Sequence, residues 1–210
     1  EMWSLGAFYK TFENPIEIVQ FLSDAGAFQP RNVGNGTVLG VELEFRKSLK
    51  FISPSLEKFQ WNTNVTLTES QITMSATEKR SRQLTAREGQ EIGTTRDMSG
   101  QAPYIINTGI AYSDFNTGWE AGVYYNVQGP TLNFVGFGNR TDTYAVPFNS
   151  LNLNINKTFG ADERIRASFG VQNLLNDKRE FIFSSYGAQD QFFTQLSPGV
   201  RANFSLGFSF

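Results

Sequence analysis

The 210-residue chain contains no histidine and no cysteine, which removes most of the chemistry that side chains perform. No Ser-His-Asp triad, no thiolate metal site and none of the commonest zinc ligand sets can be assembled. Catalysis by carboxylates alone stays open, but nothing in their spacing points to it. Asp24, Glu91, Asp97, Asp142 and Asp190 fall on connecting segments without the spaced run of oxygen ligands that calcium needs. GFGNR at 136–140 is too short for a phosphate-binding loop, and no helical pattern follows it. We therefore expect no catalytic residue, no metal and no cofactor. Binding remains. SSYGAQDQFF at 184–193 is rich in aromatic side chains, and Tyr186, Phe192 and Phe193 are its candidates for touching a ligand. The alternative is that they pack against neighbouring loops. The segment 77–97 holds five basic and four acidic residues, so its charges cancel and it reads as a solvated loop. A net charge of -2 and a pI of about 5.3 leave no basic footprint for nucleic acid. Asn-x-Ser/Thr triplets at Asn35, Asn64, Asn139, Asn156 and Asn203 read as by-products of Asn- and Thr-rich strand faces.

The elements that carry these residues are strands. The last twelve residues, GVRANFSLGFSF, alternate without exception. Val200, Ala202, Phe204, Leu206, Phe208 and Phe210 fall on one face, and small, polar or charged residues on the other. The same reading gives eight strands, at roughly 2–12, 36–47, 58–70, 103–113, 118–129, 147–159, 163–174 and 199–210. Apolar faces such as Leu39, Val41, Leu43 and Phe45 oppose hydrated ones such as Glu42, Glu44 and Arg46. Glycines at 6, 40, 109, 122, 170 and 207 lie on the hydrated faces and suit a wide wall facing water or a plug. No apolar run approaches the roughly 20 residues of a transmembrane helix, and mean hydropathy is -0.32. A membrane barrel survives both facts, because only every second residue of its strands meets lipid.

The connections separate lipid from water. With the C-terminus in the periplasm and strands running up and down, the periplasmic turns are KSLKFISPSLEK, SDFNTG and FGADER. The connections at the other end, 13–35, 71–102, 130–146 and 175–198, are all longer. Outer-membrane barrels sort their loops in this way, whereas a soluble sandwich has no reason to. The periplasmic strand ends also gather aromatics on the apolar face, among them all three tryptophans, Trp3, Trp61 and Trp119. Such a belt is expected where strands cross the membrane interface. The fold class expected is all-β: an antiparallel transmembrane β-barrel with about eight strands present.

VQNLLNDKREF at 171–181, followed by SPGVRANFSLGFSF at 197–210, resembles the C-terminal end of TonB-dependent outer-membrane receptors. In that family an Asn-Leu-Phe/Leu-Asn/Asp stretch ends the penultimate strand and a Pro-Gly-Arg-like turn opens the last. Here Val200 stands where arginine is usual, with Arg201 beside it. FYKTFENPIE at 8–17 and GQAPYIINTGIAY at 100–112 resemble the latter part of such receptors, closest to the subclass with a carboxypeptidase-regulatory-like domain. The resemblance implies a 22-stranded barrel around a plug, of which residues 1–210 would be the last eight strands, without the plug. The rest of the wall would come from the same polypeptide or a partner chain, because open edges are not viable in lipid. It implies an importer in the outer membrane of a Gram-negative bacterium, energised by the TonB complex through the plug. Phe208 and Phe210 resemble the terminal signal read by the barrel assembly machinery. A complete eight-stranded barrel with a structural or adhesion role, and a soluble β-sandwich binding module, are the other readings. The transported ligand is not legible.

Overall fold

The computed structural model describes residues 1–20, 27–160 and 164–209. In chain order its strands are β1 (Met2–Phe12), β2 (Ile16–Gln20), β3 (Phe28–Asn32), β4 (Gly36–Ser48) and β5 (Phe59–Thr73). A helix, α1 (Ala76–Leu84), precedes β6 (Thr95–Arg96), β7 (Tyr104–Asp114), β8 (Trp119–Gln128), β9 (Thr131–Gly136) and β10 (Asp142–Ala145). The chain continues through β11 (Phe148–Phe159), β12 (Ile165–Gln172), β13 (Arg179–Ser184), β14 (Gln191–Leu196) and β15 (Arg201–Phe208).

Eight strands form one antiparallel meander in the order β1-β4-β5-β7-β8-β11-β12-β15, with β6 paired to the end of β5. These are the eight strands expected from alternation, with ends shifted by a few residues. β1 and β15 lie at opposite edges of this wall and do not pair with each other. The wall is thus an open arc, and the alternative of a complete eight-stranded barrel, which needs that pairing, is not the structure formed.

Register carries the alternation from strand to strand. Trp3 pairs with Phe45, Leu43 with Val65, Ile110 with Val123, and Val123 with Leu153. Paired residues share a face, so one side of the wall is a continuous apolar surface. The other side carries rows such as Glu44–Asn64–Asn107–Asn126–Ser150, read across five strands. Trp3 is 76% exposed, Leu5 66% and Phe204 70%, although all three lie within strands. Buried apolar residues collect elsewhere. Val19, Leu132 and Val135 form one cluster, and Val38, Ile72 and Met98, on β4, β5 and just beyond β6, form another. A sheet whose large apolar residues stay uncovered on one side needs a non-aqueous neighbour there.

The four long connections are not plain loops. Three of them contribute strands to a second sheet, ordered β14-β13-β10-β9-β2-β3, which caps one end of the wall. Among the described residues only β2 and β9 run parallel. These strands are four to six residues long, too short for alternation to stand out. The remaining connection contains α1, where a solvated loop is expected from its charges. Ser75 caps this helix by accepting from the Glu78 N–H at 3.2 Å. The opposite end of the wall has short connections, including two single 3₁₀ turns at Leu49–Phe51 and Pro54–Leu56.

Candidate functional site

Beneath the cap, the polar face of the wall encloses a concavity of ≈ 690 Å³. Tyr124 (β8), Phe148 and Asn152 (β11), Arg179 (β13) and Arg201 (β15) line it. Parity explains the wall residues: Tyr124, Phe148, Asn152 and Arg201 each lie an odd number of positions from an apolar-face residue of the same strand, so they face inward. Tyr124 lies across its own strand and β7. A Cβ at Gly109 or at Gly122 would stand 2.5 Å from Tyr124 ring atoms, so only glycine lets the ring lie flat there. Phe148 carries the Arg179 guanidinium 4.9 Å from its ring centroid, a cation–π arrangement that also desolvates one face of the cation. Asn126 donates to Asn107 on the neighbouring strand. The surface thus offers guanidinium groups, amide donors and acceptors, and aromatic faces. It can bind and orient a polar ligand.

The Asn-Leu-Leu-Asn-Asp stretch at 173–177 forms a clasp at the edge of this concavity. Asn173 and Asn176 adopt left-handed backbone at φ 54° and 52°, which asparagine tolerates better than most residues. The Asn173 amide donates to the Asp177 and Gly199 carbonyls at 3.0 and 3.1 Å, and its Oδ1 accepts from the Asp177 N–H at 3.0 Å. The Asp177 carboxylate accepts from the Asn149 N–H at 2.7 Å, the Asn149 amide at 2.9 Å and the Lys178 N–H at 2.9 Å. Burial pushes this carboxyl up, but the hydrogen bonds from Asn149 and Lys178 together outweigh it and hold it below the usual carboxylate range. The motif thereby joins β11, the end of β12 and the turn that opens β15.

A second set of charges fixes the cap. Arg96 pairs with Glu17 at 2.7 Å and with Glu78 at 2.6 Å; Arg82 pairs with Glu78 at 3.2 Å and with Asp142 at 2.8 Å. Glu17 also accepts from the Ser99 N–H at 2.8 Å. The chain of pairs links β2, β6, α1 and β10, so charges that cancel in the sequence do so by direct contact. Tyr144, two residues beyond Asp142, has its phenol pushed up to about 12 by burial and by the Asp142 and Asp97 carboxylates.

The residues singled out in the sequence fall in three places. Trp3, Trp61 and Trp119 share the apolar face and the short-turn end of the wall. Phe45 stacks edge-on against Trp61 at 5.0 Å, and the Trp61 indole donates to Thr108 at 3.0 Å. Phe208 lies on the same face, paired with Ile165; Phe210 lies outside the described residues, as does Asp24. Of the aromatic candidates, Phe193 packs in the cap against Phe28, Phe134 and Phe183 at 6.2, 5.9 and 5.1 Å. Phe192 is exposed, and Tyr186 lines a smaller cavity in the cap. None of the three lines the concavity under the cap. Arg179, Phe148 and Tyr124, which do, were not singled out. The usable signal for Tyr124 was an aromatic at an inward position with glycine two residues before it and glycine at its cross-strand partner, Gly109.

No curated protein matches the sequence. Among solved structures, the ferric citrate transporter FecA in its unliganded form is similar, with a TM-score of 0.65 and 13% identity. The match covers 98% of this chain but 28% of that one. At this identity the likeness concerns the fold. The family model for the TonB dependent receptor-like β-barrel matches residues 1–174. The open, one-sidedly apolar wall and that match agree: the chain belongs to the TonB-dependent receptor family, in its β-barrel part.

Proposed function

We propose that residues 1–210 are wall and outer cap of a TonB-dependent transporter that actively takes up a ligand across the outer membrane of a Gram-negative bacterium. The observation that carries this reading is the wall itself: apolar outside, polar and concave inside, and open at β1 and β15. Lipid covers the apolar face. The open edges pair with further strands of the same polypeptide or of a partner chain, since unpaired edges are not viable in lipid. A plug domain outside these residues fills the lumen and contacts the TonB complex, and the barrel assembly machinery inserts the whole. The work is binding and gating, with no bond broken; the concavity under the cap receives the ligand. The solutes removed from the medium by wild-type cells, by cells lacking this protein and by cells lacking TonB test the reading. A solute whose uptake requires both proteins supports it. Uptake that requires this protein but proceeds without TonB contradicts it.

A further inference from the structure

The cap holds a second cavity, of ≈ 280 Å³, between the end of α1, the β9–β10 turn and the β13–β14 turn. Three arginines line it, and they are not equivalent. Arg82 makes two hydrogen bonds to the Asp142 carboxylate at 2.9 and 2.8 Å, and Asp142 also accepts from the Gly136 N–H at 2.8 Å. That pair is satisfied within the protein. Arg87 and Arg140 differ: among the described residues no ion pair or side-chain hydrogen bond reaches the guanidinium of either. The Nε of Arg140 is moreover buried away from water with no partner. Buried donors are nearly always paired, so an orphan of this kind calls for a missing acceptor. Two uncompensated cations lining one small cavity also repel each other, and an anion between them would relieve both.

We propose that this cavity is a binding site for a small oxyanion, a carboxylate or phosphate group, held by Arg140 and Arg87. A guanidinium presents parallel N–H donors that match the two oxygens of such a group, and the missing acceptor of Arg140 is then supplied. Tyr186, which lines the same cavity, bounds it from the β13–β14 side. The site lies in the cap and does not depend on what the barrel carries.

Calorimetric titration of the full-length protein in non-ionic detergent at low ionic strength tests this. Inorganic phosphate and succinate are the two probes, run separately. Saturable binding of either is expected. Arg140→Gln should weaken it about tenfold or more, as for a lost charged hydrogen bond, and Arg87→Gln at least roughly threefold. Arg80→Gln, an exposed arginine of α1 outside the cavity, should leave it unchanged. Arg87 is itself exposed, so Arg87→Gln keeps its fold and decides the matter even where Arg140→Gln does not assemble. The stronger of the two probes identifies the class. No saturable binding of either probe overturns the proposal. So does binding that survives the Arg87 and Arg140 substitutions, or that falls equally in Arg80→Gln.

Discussion

Asn173 and Asp177 bind each other twice: the Asn173 amide donates to the Asp177 carbonyl at 3.0 Å, and its Oδ1 accepts from the Asp177 N–H at 3.0 Å. Asn173 is 5% exposed and reaches Gly199 with its second amide hydrogen. Alanine at 173 removes all three bonds and leaves their half-buried partners at Asp177 and Gly199 without them, a loss of about 0.5–1.5 kcal/mol for each bond. Asn173→Ala should lower the unfolding midpoint of the full-length protein in micelles, read from heat-modifiable gel mobility. Asn176→Ala, which loses less, should lower it less.

The clasp also sets a pH dependence. The Asp177 carboxyl is held below its ordinary value in the fold. A depressed carboxyl contributes stability that is complete above the unfolded-state value, about 3.9, and is lost as pH falls through the folded-state value. Wild type should therefore lose stability on acidification below about pH 4. Asp177→Asn should start from a lower midpoint and lose less over the same range. Denaturant midpoints at a series of pH values give both slopes, and parallel slopes would contradict the assignment.

Tyr124 and its glycine sockets make a coupled pair. Gly122→Ala places a methyl 2.5 Å from Tyr124 ring atoms, and overpacking of this kind costs roughly 1–3 kcal/mol. Tyr124→Ala removes the obstacle. The double variant should therefore be more stable than the sum of the two single changes predicts, in a double-mutant cycle of unfolding midpoints.

Charge should be tolerated on one face of β8 alone. Val123 lies on the apolar face, paired with Ile110 and Leu153, and Asn126 on the polar face, hydrogen-bonded to Asn107. Lysine on the lipid side costs roughly 2–4 kcal/mol near the bilayer midplane and little on a wet side. Val123→Lys should deplete folded, heat-modifiable protein, and Asn126→Lys should leave most of it. Equal effects would mean that the faces are misassigned.

The wall was legible because period-two alternation over eight to fifteen residues is a long signal, and each strand repeats it. The cap was not. Its strands draw their stability from one another and from the Glu17–Arg96–Glu78–Arg82–Asp142 chain, which joins residues far apart in sequence. Local charge balance in 77–97 looked like solvation because the partners at Glu17 and Asp142 lie outside that window. The helix α1 is missed by that reading, although Ser75 and Glu78 stand at the spacing of a capping box. Inward glycines read as open lumen; Gly6 does stand under open space, but Gly40 seats the Phe8 ring and Gly109 and Gly122 seat Tyr124. Spacing alone does not distinguish a gap from a socket. The arginine stacked on Phe148 was hidden for the same reason as the cap, since Arg179 arrives from β13.

On the proposed function, one face of the wall meets lipid and the other the lumen. Spin labels placed singly at Val41, Glu42, Leu43 and Glu44 of full-length protein in bilayers test it most directly, by accessibility to oxygen and to a water-soluble nickel chelate. These four successive residues of β4 alternate between the two faces. Oxygen-rich, chelate-poor environments are expected at 41 and 43, and the reverse or a crowded environment at 42 and 44. Accessibility without a two-residue period, or with the opposite phase, would contradict it.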